Sequence, residues 1–339
     1  MAITLKKFSL LSSAALALML AACGGDDTDS ANESTDKGST DGDATTEETY
    51  VIGVTQLLEH PSLDAAYEGF QKALEDAGLD VEYKYNTANG DNSANMSIAQ
   101  TLVGEGVDLI FANSTPSAQA AKSATSDIPI VFTSVTDAVG AELIASMESP
   151  GGNVTGTIDL HPDTIANTAA FFKNELGAKK VGTVYNTGEQ NSIAQVEQIK
   201  AALEAEGIEL VEAAVSNSSE VKQATESLLG KVDSLYIFTD NTVVNALEAV
   251  IDVANVNKLP LVVGEMDSVN RGGLAAYGFE YYDIGYEAGQ KAVEILANGK
   301  SAGEIPATFP ANLKLVINKA AAENVGLEIK ESWNAEVIE

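Results

Sequence analysis

The sequence predicts an α/β protein of two Rossmann-like lobes, each built on a parallel sheet. Three observations predict it. Short apolar runs rich in Val, Ile and Tyr recur along the chain. Segments with helical spacing of apolar residues lie between most of them. The longest interruption, "SPGGNVTGTIDLHPD" at 149–163, divides the series in two. Roughly 290 residues follow an N-terminal leader, enough for two separate cores.

The first series of strand-like runs is 50–56, 81–87, 107–113 and 128–135. The second is 179–186, 208–215, 233–240, 259–265 and 273–279. Between the first two runs, Leu63, Tyr67, Phe70, Leu74 and Ala77 fall on one helical face, and Gly78 is a fitting stop. Val243, Leu247, Val250 and Ala254 do the same over 242–255. Strands alternating with helices give parallel sheets covered on both faces.

The leader has its own logic. Lys6 and Lys7 precede a short apolar stretch at 8–22, the layout of a secretory signal rather than a membrane span. It ends in Leu20-Ala21-Ala22-Cys23, which resembles the bacterial lipobox, and Cys23 is the only cysteine of the chain. An unpaired thiol in an exported protein asks for a role, and acylation supplies one. Buried acyl chain contributes about 0.8 kcal/mol per CH₂, so two chains hold a protein at a membrane. Residues 24–48 carry nine acids and one Lys, a composition that reads as a self-repelling tether. Their D-G-D stretch lacks the remaining ligand positions of a calcium loop.

The chain carries a net charge of −31, and residues 49–339 keep −25 of it. Nothing resembles a basic stripe, so nucleic acid is not an expected partner.

Ligands of open α/β sheets bind beyond the carboxyl ends of the strands. The residues at those junctions are strongly polar: Gln56, Glu59 and His60; Ser114 and Thr115 before Pro116; Thr136 and Asp137. In the second series they are Asn186, Glu189, Asn191 and Ser192, then Asp240 and Asn241, then Glu265. Several are helix N-caps by residue type, but capping does not exclude binding. The helix opening at Pro116 offers N–H groups to a carboxylate, with the Ser114 or Thr115 hydroxyl assisting. Asp240, with Asp137 or Glu265, is the counter-charge for an amine. An anion site facing carboxylates points to a zwitterion such as an amino acid.

Catalytic signatures are thin: there is no G-x-S-x-G, H-E-x-x-H or C-x-x-C. Gly299-Lys300-Ser301 looks like a P-loop tail, but Glu294 stands where its glycine belongs. His60 is expected to make a structural hydrogen bond, and His161 to sit at a hinge or on the surface. No metal or cofactor is expected.

"TQLLEHPSLDAAYEGF", "IAQTLVGEGVDLIFANSTPSAQAA", "IPIVFTSVTDAVGA", "PGGNVTGTID", "YNTGEQNS", "LYIFTDNTVV" and "YGFEYYDIGYEAGQKAVEIL" together resemble one family. It is the substrate-binding lipoproteins of ABC transporters grouped with tryptophan- and tyrosine-type binding proteins. The resemblance covers roughly 50–320 and implies a type I periplasmic-binding-protein fold with a three-crossover hinge. It places 50–158 with 280–308 in one lobe and 159–279 with 309–339 in the other. Tyr281, in the last motif, joins the candidate contacts. The implied partners are a small ligand, plausible as an aromatic amino acid, an ABC permease with its ATPase, and the membrane through lipid on Cys23. The protein is then a monomer at the outer face of the cell membrane. Ala138 departs from the Pro of many members, which loosens the loop carrying Asp137. Two other readings remain: a tethered receptor for signalling, and an exported hydrolase using a pair such as Glu59 and Asp137.

Overall fold

In a computed structural model that describes residues 49–339, the strand runs assemble into two sheets. The first holds β1 (Thr49–Gln56), β2 (Asp80–Thr87), β3 (Leu109–Asn113), β4 (Ile130–Val135) and β5 (Val154–Ile158). Its order is β2-β1-β3-β4-β5 and every pair is parallel. The second holds β6 (Lys180–Asn186), β7 (Glu209–Val215), β8 (Ser234–Ile237), β9 (Leu261–Val263), β10 (Ala275–Gly278), β11 (Lys314–Asn318) and β12 (Glu336–Ile338). Its order is β12-β11-β10-β9-β8-β6-β7, and β10 with β11 is an antiparallel pair.

Among the described residues, the helices are α1 (Pro61–Asp76), α2 (Asn92–Glu105), α3 (Thr115–Ala124), α4 (Thr164–Asn174), α5 (Gln190–Ala205) and α6 (Val221–Ser227). They continue with α7 (Asn241–Asn245), α8 (Leu247–Asn257), α9 (Met266–Arg271), α10 (Tyr281–Leu296) and α11 (Lys319–Val325). The single helix expected over 242–255 is therefore two. The β-branched run Thr242-Val243-Val244 is a weak helix former, and the chain breaks at Ala246. A second difference is β5, which lies inside the stretch expected to be a break. Its sequence, VTGTI, is short and contains Gly, so its strand signal is weak, yet all five residues are buried.

The sheets have separate cores. In the first, Ile52, Val54, Phe70 and Phe111 pack with Ala288, Ala292 and Ile295 of α10. In the second, Phe172, Tyr236, Phe238 and Val262 form one side, and Val243, Leu247, Val250 and Val263 the other. Burying each large side chain contributes about 1.5–3 kcal/mol.

Helix α10 follows a strand of the second sheet but belongs to the first core. Its placement rests on small residues. A Cβ on Gly285 would collide with the Ala66 carbonyl oxygen, and one on Gly69 with that of Tyr282. The two helix backbones of α1 and α10 therefore touch. After α10 the chain runs beside β5, where Ile158 N donates to Thr308 O at 2.8 Å, before entering β11. The chain thus passes from the first sheet to the second after β5, returns to the first core with α10, and rejoins the second sheet at β11.

Candidate functional site

Both sheets reverse their strand order beside their first strand, β1 between β2 and β3, and β6 between β7 and β8. Those switch points are where open α/β sheets bind ligands. The carboxyl ends of the two sheets enclose a small cavity. The first lobe contributes His60, Ser62 and Leu63 from the β1–α1 junction. The second contributes Thr239, Asn241 and Val244 after β8, and Glu265 after β9. Asp159 and Tyr281 enter from two of the crossovers. The larger hollows of the molecule are open grooves on its outside, such as one between α1 and α10 lined by Ala73, Tyr286 and Gln290. Only enclosure strips a ligand of water, so the interlobe cavity is the candidate.

Four of its polar atoms are left without partners. Both ring nitrogens of His60, Ser62 Oγ and Glu265 Oε2 are buried and make no hydrogen bond among the described residues. Each such atom costs about 1–3 kcal/mol if nothing satisfies it. His60 was expected to make a structural hydrogen bond, and that expectation is corrected. It is the N-cap residue of α1, yet its side chain caps nothing.

Electrostatics follow from burial. Desolvation holds the His60 imidazole down at about 4, against the pull of the neighbouring Asn241 side chain, so it is neutral. Burial raises Glu265 to about 7, aided by the charge of Asp267 and opposed by the Ser268 hydroxyl and backbone. Asp159 rises to about 6 for the same reason, although Tyr281 Oη (2.8 Å) and Thr136 Oγ1 (2.9 Å) donate to it.

Of the residues expected at the site, Asn241, Glu265 and Tyr281 line the cavity. Thr136 reaches it indirectly, through Asp159. The others are turned elsewhere. Gln56 Nε2 donates to Leu58 O and Asp64 Oδ1, both at 2.8 Å, and its Oε1 accepts from Asn113. Glu59 is exposed. Ser114 holds φ 129°, a conformation side chains rarely adopt, and its Oγ caps α3 by accepting from Ser117 N. Thr115 Oγ1 is buried and unpartnered but does not line the cavity.

The acids need correction most. Asp137 closes its own loop, accepting from Gly140 N at 2.7 Å, and does not face the cavity. In the same loop Leu143 N donates to Ala138 O at 2.9 Å. Asp240 is fully buried and already accepts from Asn186 N (2.6 Å), Ser192 Oγ (2.7 Å) and Val243 N (2.8 Å). Burial and the charge of Glu189 push its carboxyl up. Glu189 in turn accepts from the backbone and side chains of Asn241 and Thr242. Asn191 donates to Thr239 O at 3.2 Å, and Asn186 to Thr242 Oγ1 at 2.9 Å. These residues build the wall behind the cavity. Arg271 is far from this role, paired with Glu248 at 2.8 Å. His161 accepts from Asp163 N, just beyond the first crossover.

Sequence reasoning pointed to Thr239 as a strand-end residue but missed Ser62, Leu63, Asp159 and Val244 as cavity residues. Recognising β5 would have exposed Asp159 as a strand-end acid. Cys23 lies outside the described residues. His60 and Ser62 do not bond to each other, and Glu59 is exposed while Asp137 is engaged in its own loop. Among the described residues no acid, His or Cys cluster could hold a metal, and no helix is long and apolar enough to cross a membrane.

The family model for ABC transporter substrate binding proteins matches residues 51–338. This chain belongs to that family. Its fold is the type I periplasmic-binding-protein fold, and its relatives are solute-binding proteins of ABC transporters rather than enzymes. A tyrosine-binding protein from Clostridioides difficile (strain R20291) is 44% identical over 292 residues, 85% of this chain and 84% of the relative. A Streptococcus pneumonia structure described as an ABC domain in complex with L-Trp is 31% identical, with a TM-score of 0.80 over 86% of this chain and 100% of that one. A ligand-free, open structure of a substrate binding protein with adhesive properties from Clostridium difficile is 39% identical. Its TM-score is only 0.64, over 86% of this chain and 99% of that one.

Proposed function

We propose that this substrate-binding protein captures an aromatic amino acid, tyrosine or tryptophan, between its lobes and delivers it to an ABC permease. The observation that carries the reading is the enclosed interlobe cavity, where unpartnered His60, Ser62 and Glu265 stand beside apolar Leu63 and Val244. Such a mixture suits a ring with a charged head. The names of the two relatives, a tyrosine-binding protein and an L-Trp complex, support the same class. Asn241, Glu265 and Tyr281 are the contacts retained from the sequence; Asp240, Glu189, Asn186 and Asn191 hold the wall. Capture proceeds by hinge closure, a motion known for periplasmic binding proteins.

The lobes divide at about 158, 279 and 308, a reading supported by α10 packing on α1 and by β11 and β12 extending the second sheet. The protein works as a monomer on the outer face of the membrane, held by acyl chains on Cys23 and spaced from it by the acidic tether. Titration calorimetry with the 20 amino acids tests the ligand class. Tight binding of tyrosine or tryptophan is expected; binding of none of the aromatic amino acids would replace the reading with a neutral ligand.

A further inference from the structure

The cavity presents two chemically opposite walls. On the first lobe's side, α1 starts at Pro61 with no side-chain cap. A 16-residue helix leaves first-turn N–H groups and the positive end of its dipole at this terminus. Two further groups stand there, both more than nine-tenths buried and unpartnered: the His60 ring and Ser62 Oγ. Asp64 lies in the same turn, but Gln56 Nε2 holds its carboxylate at 2.8 Å. By contrast, the α3 terminus expected to bind an anion is already capped by Ser114. On the second lobe's side, Glu265 spends Oε1 on capping α9 through Ser268 N (2.9 Å) and the Ser268 hydroxyl, and leaves Oε2 free and buried. Asp159 adds a second acid to the cavity, and no cationic side chain lines it.

We infer that the cavity is polarised between its lobes, the α1 terminus with His60 and Ser62 taking an α-carboxylate and Glu265 taking the α-ammonium. This rests on the amino-acid reading above and deepens it. A ligand with both charges then bridges the lobes, one charge on each, and holds them shut. A ligand with one charge leaves the opposite wall unsatisfied. The neutral imidazole of His60 suits this role, since it can donate to a carboxylate without bringing a buried charge of its own. The raised carboxyl of Glu265 gains a counter-ion when the ammonium arrives.

The test is calorimetry of the purified protein with L-tyrosine, tyramine (no carboxylate) and 3-(4-hydroxyphenyl)propionate (no ammonium). The wild type is expected to bind either single-charge analogue at least about thirtyfold more weakly than L-tyrosine. In Glu265→Gln the penalty for losing the ammonium should shrink about tenfold while that for losing the carboxylate persists. In Ser62→Ala and His60→Gln the reverse is expected, and thermal melts identify a variant that fails to fold. Tryptophan, tryptamine and indole-3-propionate serve equally if tryptophan binds more tightly. Unchanged penalties in folded variants, or penalties exchanged between the two ends, overturn the polarity while leaving the ligand class standing. A wild type that binds no aromatic amino acid rejects both.

Discussion

Tyr281 Oη donates to Asp159 Oδ2 at 2.8 Å across 122 residues of sequence, tying the first turn of α10 to the crossover after β5. Two passages of the chain between the sheets are thus joined by one buried hydrogen bond. Tyr281→Phe leaves a buried carboxylate with Thr136 as its remaining side-chain donor, and unfolding by urea should show a loss of about 1–3 kcal/mol. Thr136→Val should cost a similar amount, and the double variant should cost less than the sum, because both act on one carboxylate. Strict additivity would mean the two donors are not coupled through Asp159.

Stability should depend on pH through Glu265. Its folded carboxyl, at about 7, lies above the ordinary 4.5, so the folded chain binds the extra proton between those values. Stability from this group is therefore present at low pH and lost as pH rises through about 7. His60 works the other way, since a folded value of about 4 below 6.5 means stability lost as pH falls through that interval. Glu265→Gln isolates the first effect. Its stability relative to wild type should improve between pH 5 and pH 8, read from urea denaturation at both. A constant difference would show that Glu265 ionises normally in the fold.

Asp240 is a positioning acid, and its variants should reveal that. Asp240→Ala strands Asn186 N, Ser192 Oγ and Val243 N in a buried wall. The expected loss is at least about 2 kcal/mol of stability. Ligand affinity of the folded protein should fall less than in Glu265→Gln. A larger drop in affinity than in stability would return Asp240 to direct ligand contact.

Gly285→Val should disrupt the α1–α10 contact, where the opposing group is backbone and cannot rotate away. A cost of about 3 kcal/mol or more is expected in the denaturation midpoint. A well-folded variant of unchanged midpoint would mean that α10 can slide on α1.

Cys23→Ala should release the protein into the medium or leave the precursor uncleaved, as fractionation and mass spectrometry would show. A variant that stays membrane-bound after signal cleavage would remove Cys23 from the anchoring role.

The two-lobe plan was legible because Ile52, Val54, Phe111 and their counterparts in the second sheet make dense apolar runs with helical spacing between. β5 was not, since Val154, Gly156 and Ile158 are too few to stand out beside a glycine pair. That omission hid Asp159. At the site, residue type and position marked the strand ends correctly but not which way each side chain turns. Asp240 and Glu265 look equivalent in sequence, each an acid before a helix. Only the donors around Asp240 show that it is fully occupied, whereas one oxygen of Glu265 is not. His60 was marked only by its place at a strand end; its meaning comes from two ring nitrogens left without a partner.

The interleaving of the lobes also governs when the chain can fold. The first core needs Ala288, Ala292 and Ile295, so it cannot close until nearly the whole sequence is available. The second sheet is finished only by β11 and β12, at the far end of the chain. Contacts spanning such separations form slowly, because loop closure precedes their reward. A growing N-terminal half can pack one face of its sheet, but the face that α10 covers stays open. On the proposed export route this is an advantage, since a chain that stays open until its last residues appear can be threaded through a membrane and acquire its shape on the far side.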